Sequence, residues 1–85
     1  MILNVVDAKY AGEYRVVVVF NNGKSKLVDL QETIFSDQRN IFQSLRNKEY
    51  FKDFKLSLNT ITWNNEADFA PEFLDEIGVD YLLQK

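Results

Sequence analysis

The clearest hydrophobic pattern in the chain is the run over 14–20, where four consecutive valines are flanked by Tyr14 and Phe20. Because β-branched and aromatic side chains are enriched in strands, this run predicts a buried strand. Asn22-Gly23 follows it, and these residue types accept the positive φ angles of a two-residue type I′ turn. The pattern therefore predicts a β-hairpin whose second strand runs over 24–30.

The position of this turn sets the register of the hairpin and its two faces. With Asn22-Gly23 at the turn centre, Phe20 faces Ser25 and Val18 faces Leu27. The face with the aromatic residues is predicted to be the core face, and it carries Tyr14, Val16, Val18, Phe20 and Leu27. The second sheet face carries Val17, Val19, Val28 and Leu30. Because an apolar face of this kind invites contacts, we expect residues 30–46, the tail 79–83 or a second copy of the chain to cover it, and a homodimer is one of these alternatives.

Alternating polar and apolar positions predict the other strands. Residues 2–8 predict a first strand, which ends before the turn at Gly12, and two half-buried strands are predicted over 54–58 and 60–63. The inward-facing side chains of the last two are predicted to be Phe54, Leu56, Leu58, Ile61 and Trp63.

Two short helices are predicted from end signals. One spans 47–53, with Asn47 as its N-cap, and one spans 71–78, with Pro71 at its first position and Gly78 as a left-handed C-cap. Residues 30–46 fit neither period, so they predict a loop with one or two helical turns, capped at Ser36-Asp37 and anchored by Phe42 and Leu45. The expected fold is α+β, a mainly antiparallel sheet of four or five strands with two or three short helices, in the order β-β-β-(α)-β-β-α.

Length and composition add exclusions. An 85-residue chain without a linker predicts a single domain over 1–85. The absence of cysteine and histidine removes disulfides, thiolate ligands and the commonest general base. There is no glycine-rich phosphate loop, no apolar run long enough to cross a membrane and no recognisable signal peptide. We therefore expect a cytoplasmic protein that is not an enzyme and holds no cofactor or metal.

Charge is distributed unevenly along the chain. The formal net charge is −3, yet residues 56–84 contain six acidic residues and no basic one. This balance argues against direct binding to nucleic acid, since an acidic surface repels phosphate. The candidates for a local basic patch are Arg39, Arg46, Lys48, Lys52 and Lys55.

A more specific pattern runs from Trp63 to Leu74, where a strand-ending tryptophan is followed by Ala-Asp-Phe-Ala-Pro-Glu-Phe-Leu after a short turn. This pattern resembles the closing signature of a family of small bacterial domains known as domain-of-unknown-function family 2442. Earlier landmarks over 20–58 resemble that family in the same order. The family usually has proline and glycine at the positions of Asn64 and Glu66. The resemblance implies a small regulatory module or an antitoxin-like protein partner.

The signature contains the residues of most interest for function. Asp68 is interpreted either as an acceptor that closes the loop before Pro71 or as an acid, base or cation ligand. Trp63 is interpreted as a core residue or as a platform for a ligand ring. Exposed acids on the last helix form either its solvated face or an acidic patch for a basic partner, namely Glu72, Asp75 and Glu76.

Three classes of function remain open on this pattern. The first is a non-catalytic module for protein–protein binding or regulation, with an unknown and basic partner. The second is a nucleic-acid-associated transcriptional regulator, acting through a partner or through a basic edge over 39–55. The third is a carboxylate-based enzyme or a metal binder, because paired carboxylates can transfer protons or hold cations.

Overall fold

Two sheets and a set of short helices make up the fold in a computed structural model, which describes residues 2–81. In chain order the elements are β1 (Val5–Tyr10), β2 (Arg15–Phe20), β3 (Ser25–Asp29), α1 (Gln31–Ser36), α2 (Asn40–Gln43), a 3₁₀ turn (Ser44–Arg46), α3 (Lys48–Phe51), β4 (Lys55–Ser57), β5 (Thr60–Thr62), α4 (Pro71–Ile77) and β6 (Val79–Asp80). The α+β class predicted from the sequence is confirmed.

The strands form a four-stranded sheet of order β1-β2-β3-β6 and a separate two-stranded sheet of β4 and β5, and all neighbours are antiparallel. The second sheet contacts the first where the Val5 N–H donates to the Asn59 carbonyl at 2.9 Å. The single sheet expected from the sequence is thus divided in two. β6 adds an edge strand after α4.

The hairpin of β2 and β3 forms, but its predicted register is wrong by one residue. Val17, not Val18, faces Leu27. The Phe20 N–H donates to the Lys24 carbonyl at 2.9 Å, which makes the loop three residues long. Gly23 has a φ of +85°, and Asn22 is not among the residues with positive φ. A type I′ turn needs positive φ at both central residues, whereas the observed three-residue loop has positive φ at Gly23 alone.

This shift of one residue exchanges the faces of β3, because side chains alternate along a strand. Val28 and Leu30 are fully buried in the core, whereas Leu27 is only half-buried on the second sheet face. The predicted core positions of β2 are confirmed, namely Val16, Val18 and Phe20, together with Tyr14 before the strand.

The expected covers for the second sheet face have different outcomes. Residues 30–46 pack on the core face, since Ile34, Phe42 and Leu45 belong to the main apolar cluster. Val79 pairs with Leu27 at the edge of the sheet and is 60% exposed. Residues 82 and 83 of the predicted covering tail lie outside the described part of the chain. Coverage by a second copy stays a prediction.

The segment predicted as a loop is more helical than expected, with α1, α2 and the 3₁₀ turn in succession. Phe42 and Leu45 are buried anchors, as predicted. Ser36-Asp37 ends α1 and does not cap the next helix, whose N-cap is Arg39. Asn47 does cap α3, because its side-chain oxygen accepts from the Glu49 N–H at 2.9 Å.

The second hairpin turns at Leu58 and Asn59, which have φ angles of +54° and +70°. Ile61 is fully buried, as predicted, but Leu56 and Leu58 are exposed, at 43% and 86%. The alternation over 54–58 therefore does not mark a face that packs on the core. All three residues of β4 are exposed, and only Phe54, directly before the strand, packs partly against the core.

The last helix begins at Pro71, as predicted, and ends before Gly78. Gly78 is not a left-handed cap, since its φ is −73° and its backbone is extended. A Cβ atom there would lie 2.8 Å from the Leu74 carbonyl oxygen and 3.0 Å from Lys26 Cβ. The glycine is therefore required by the close approach of the helix end to β3.

Candidate functional site

Trp63 lies inside the core, with 2% of its surface exposed. Its indole Nε1 donates to the Phe51 carbonyl at 2.8 Å. Its ring centroid lies 5.7 Å from that of Phe51 and 5.8 Å from that of Phe69. The indole therefore fixes α3 and the segment before α4 to β5, and its contacts are those of a structural residue.

The signature loop, residues 63–70, is closed by an asparagine. The Asn65 side chain accepts from the Ala67 N–H at 3.0 Å and donates to the Ile41 carbonyl at 2.8 Å. Its backbone N–H donates to the Tyr50 hydroxyl at 3.1 Å. Glu66 takes the left-handed conformation, with a φ of +71°. Asn65 thus joins the loop to α2 and α3.

Asp68 is exposed, and its backbone forms a bridge with Thr62. Within residues 2–81 no hydrogen bond reaches the Asp68 carboxylate, so the acceptor that closes the loop is Asn65. Asp68 lies instead in a shallow depression of about 270 Å³ that also contains Lys55, Asn64 and Glu66. The depression mixes both signs of charge.

The three acids of α4 have different environments. Asp75 forms an ion pair with Lys26 at 2.9 Å, and the same ammonium donates to the Asp75 carbonyl at 2.8 Å. This double contact attaches α4 to β3. Glu72 and Glu76 are exposed, and neither has an ion-pair partner in the described part of the chain.

A groove separates α1 from α4, with a volume of about 420 Å³. Its lining residues are Asp29, Glu32, Thr33, Ser36, Phe73 and Ile77. We call this the α1–α4 groove. A second cavity of about 460 Å³ lies against α1 and shares Asp29 and Glu32 with the groove, adding Gln31 and Phe35. The two carboxylates therefore border both cavities.

Sequence reasoning missed this groove. It identified the acids of α4 but not Asp29 and Glu32, because residues 30–46 gave no helical period that would place α1 beside α4. The one available signal was Asp29, an acceptor two residues before a helix, and its carboxylate does accept from the Gln31 N–H at 3.0 Å.

The basic residues over 39–55 are largely neutralised by nearby carboxylates. Arg39 pairs with Asp37 at 2.7 Å and Lys52 with Glu49 at 3.0 Å, while Lys48 pairs with Glu13. The hydrogen bond from Arg39 lowers the pKa of the Asp37 carboxyl, and that from Lys48 lowers the pKa of the Glu13 carboxyl.

Arg46 is used within the fold. Its guanidinium lies over the Phe35 ring, 5.3 Å from the centroid, and reaches the Asp37 carbonyl at 3.3 Å. Lys55 is therefore the one residue of the predicted basic patch without such an interaction among residues 2–81.

Residues 2–81 contain no group of three or more acidic, cysteine or histidine side chains placed to hold a metal ion. In the same range, no helix has both the length and the hydropathy needed to cross a bilayer.

Comparison with known proteins identifies the family. The model of a family described as proteins of unknown function, DUF2442, matches residues 5–79, which cover β1 through the start of β6 and include the whole signature loop. Neither the curated proteins nor the solved structures contain a significant match to the chain. On the strength of a family match over most of its length, the chain belongs to the DUF2442 family.

Proposed function

We propose that this domain is a non-catalytic protein-binding module that uses the acidic surface of α4 and α1 to hold a partner with a basic surface. One observation carries the proposal. Glu32, Glu72 and Glu76 are exposed without a cationic partner among residues 2–81, whereas four of the cations in that range are paired with other carboxylates, one of them Asp75 on α4.

Electrostatics supports a protein partner over nucleic acid. Exposed carboxylates repel phosphate, and the cations that a nucleic acid would need are occupied at Arg39, Lys48 and Lys52. A positive protein surface would instead be attracted to the acidic one, and such complementarity raises the association rate and selects the partner. An antitoxin-like role, in which the domain blocks a basic partner protein, is one form of this function.

The chemistry of the side chains supports a non-catalytic role. Acyl or phosphoryl transfer by a serine would need a neighbouring base, and the chain contains no histidine. The signature-loop depression places Glu66 and Asp68 with Lys55, in an open and solvated setting. Such an open depression does not enclose a substrate beside a catalytic acid or base.

Two charge variants test the proposal. Glu72→Gln with Glu76→Gln removes two charges from α4, and Glu66→Gln with Asp68→Asn removes two from the signature loop. Tagged wild-type domain and both variants are purified from the native cells at about 50 mM and about 500 mM salt, and folding is checked by thermal unfolding.

The proposal predicts a single partner, with a basic surface, that co-purifies in roughly equal amount with the wild type at low salt. The signature-loop variant should keep it, while the α4 variant and high salt should release it. A partner that stays with the α4 variant, or a wild-type domain that retains no protein at low salt, would contradict the proposal.

A further inference from the structure

We infer that the α1–α4 groove is the docking site for a short basic segment of the partner protein, which inserts one apolar side chain between α1 and α4 and places a cation beside Asp29 and Glu32. This inference rests on the proposed function and narrows it from an acidic surface to one groove.

The floor of the groove, formed by Phe73 and Ile77, is the reason for inferring an apolar side chain in the partner segment. Phe73 and Ile77 are four residues apart on α4, so they lie on one side of the helix. Both are only partly buried, although both pack against the main core. A partner side chain that contacts them would complete their burial. The groove volume of about 420 Å³ falls within the range of protein pockets that receive side chains or small ligands.

The walls of the groove, which carry Asp29 and Glu32, are the reason for inferring a cation in the partner segment. Asp29 and Glu32 are exposed and border the groove, and neither has an ion-pair partner in residues 2–81. Asp29 uses one carboxylate oxygen to accept from the Gln31 N–H, which leaves its second oxygen for another donor. Glu72 and Glu76 directly precede the two apolar residues of α4, so an acidic row runs beside the apolar one.

Charge selects this occupant over the alternatives. A second copy of the chain also carries a net charge of −3, and Lys26, Arg39 and Lys48 are occupied by internal ion pairs. A purely apolar segment would leave the carboxylates without a partner. A segment that combines arginine or lysine with leucine or phenylalanine satisfies both the floor and the walls.

The test uses a synthetic peptide of about 12 residues that repeats Lys-Leu-Arg-Ser, titrated into ¹⁵N-labelled domain and followed by amide chemical shifts. Two companion peptides separate the contributions: one replaces leucine by serine, and the other replaces lysine and arginine by glutamine. Glu32→Gln and Phe73→Ser change the groove. Glu66→Gln is the matched control on the signature loop.

The inference predicts shifts confined to the groove, at residues such as Thr33, Ser36, Phe73 and Ile77. Both companion peptides should bind at least about 10-fold more weakly, and Glu32→Gln should weaken the parent peptide about 5-fold while Glu66→Gln has no effect. Thermal unfolding shows whether Phe73→Ser is folded. If Phe73→Ser does not fold, Glu32→Gln still tests whether the peptide binds in the groove, because Glu32 is exposed and not part of the core.

Three results would overturn the inference. In the first, only the amide signals near Glu72 and Glu76 shift, and the peptide with serine in place of leucine binds as tightly as the parent peptide. This result would exclude the groove but leave the proposed function intact. Equal weakening by Glu66→Gln would show non-specific attraction. Concentration-dependent shifts in the groove without any peptide would identify a second copy of the chain as its occupant.

Discussion

Glu66 and Gly78 show how single residues determine the loops around the last helix. Glu66 has a φ of +71°. This left-handed conformation is unfavourable for any residue with a Cβ atom, but it has almost no free-energy cost for glycine. The resemblance to the family implies glycine at this position. Gly78 is the opposite case, since its φ is ordinary and space is the constraint.

Replacing Glu66 by glycine should stabilise the domain by about 0.5–1 kcal/mol, because relief of the left-handed strain exceeds the added entropy of the unfolded chain. Chemical denaturation of the wild type and the Glu66→Gly variant measures the difference. Asn64→Gly is a control in the same loop, at a residue without positive φ, and it should destabilise. A Glu66→Gly variant less stable than the wild type would show that the glutamate side chain itself supports the loop.

Replacing Gly78 by alanine should destabilise the domain by about 1–3 kcal/mol, because the new methyl group would overlap the Leu74 carbonyl and Lys26. Gly23→Ala is the matched comparison, since its added Cβ meets no atom within 4 Å but its φ is +85°. Gly23→Ala should therefore reduce the stability only by the cost of left-handed strain, about 1 kcal/mol. Urea denaturation of both proteins distinguishes overlap from strain, and a neutral Gly78→Ala would refute the close approach.

At the scale of the element, sequence pattern located most strands but not their registers. Four consecutive valines locate β2, since so many β-branched residues favour extended backbone, and the flanking Tyr14 and Phe20 correctly identified its inward side. The faces of β3 depended on the turn, where the three-residue loop differs from the two-residue loop by one position. Over 30–46 the sequence predicted a loop with only one or two helical turns, because each of the short helices there is too short to display a period.

Two leucines near β3 test the corrected register. Leu30 is fully buried and Leu27 is half-buried, so Leu30→Ala should cost about 2–5 kcal/mol and Leu27→Ala about 1 kcal/mol. The register predicted from the sequence gives the reverse order. The free energies of unfolding of the two variants, compared under the same conditions, decide between them, because the substitution is the same in both.

At the scale of the whole molecule, the α+β class was predictable because strand runs and helix end signals are local. The α1–α4 groove was not, because it forms between residues near 32 and residues near 75, and no local pattern reports that contact. The same limit applies to the ion pair of Glu13 and Lys48, which joins the turn after β1 to α3.

This long-range ion pair should contribute to the pH dependence of stability. The hydrogen bond and the charge of Lys48 lower the pKa of Glu13, so its contribution is present above the ordinary glutamate pKa and is lost as the pH falls through the lowered value. Glu13→Gln should therefore show a smaller fall in stability than the wild type between about pH 7 and about pH 3. The exposure of both side chains makes the difference small. Identical pH profiles of unfolding for the two proteins would contradict a stabilising role.

Carbodiimide cross-linking of the native complex tests the central claim of an acidic binding surface most directly, because it joins a carboxylate to an amine only where the two form close contacts. Mass spectrometry then identifies the linked residues. We predict that the partner's lysines are joined to Glu32, Glu72 and Glu76, with Glu66 and Asp68 unlinked. Cross-links that run mainly through Glu66 and Asp68, or through this chain's own lysines to carboxylates of the partner, would contradict the account.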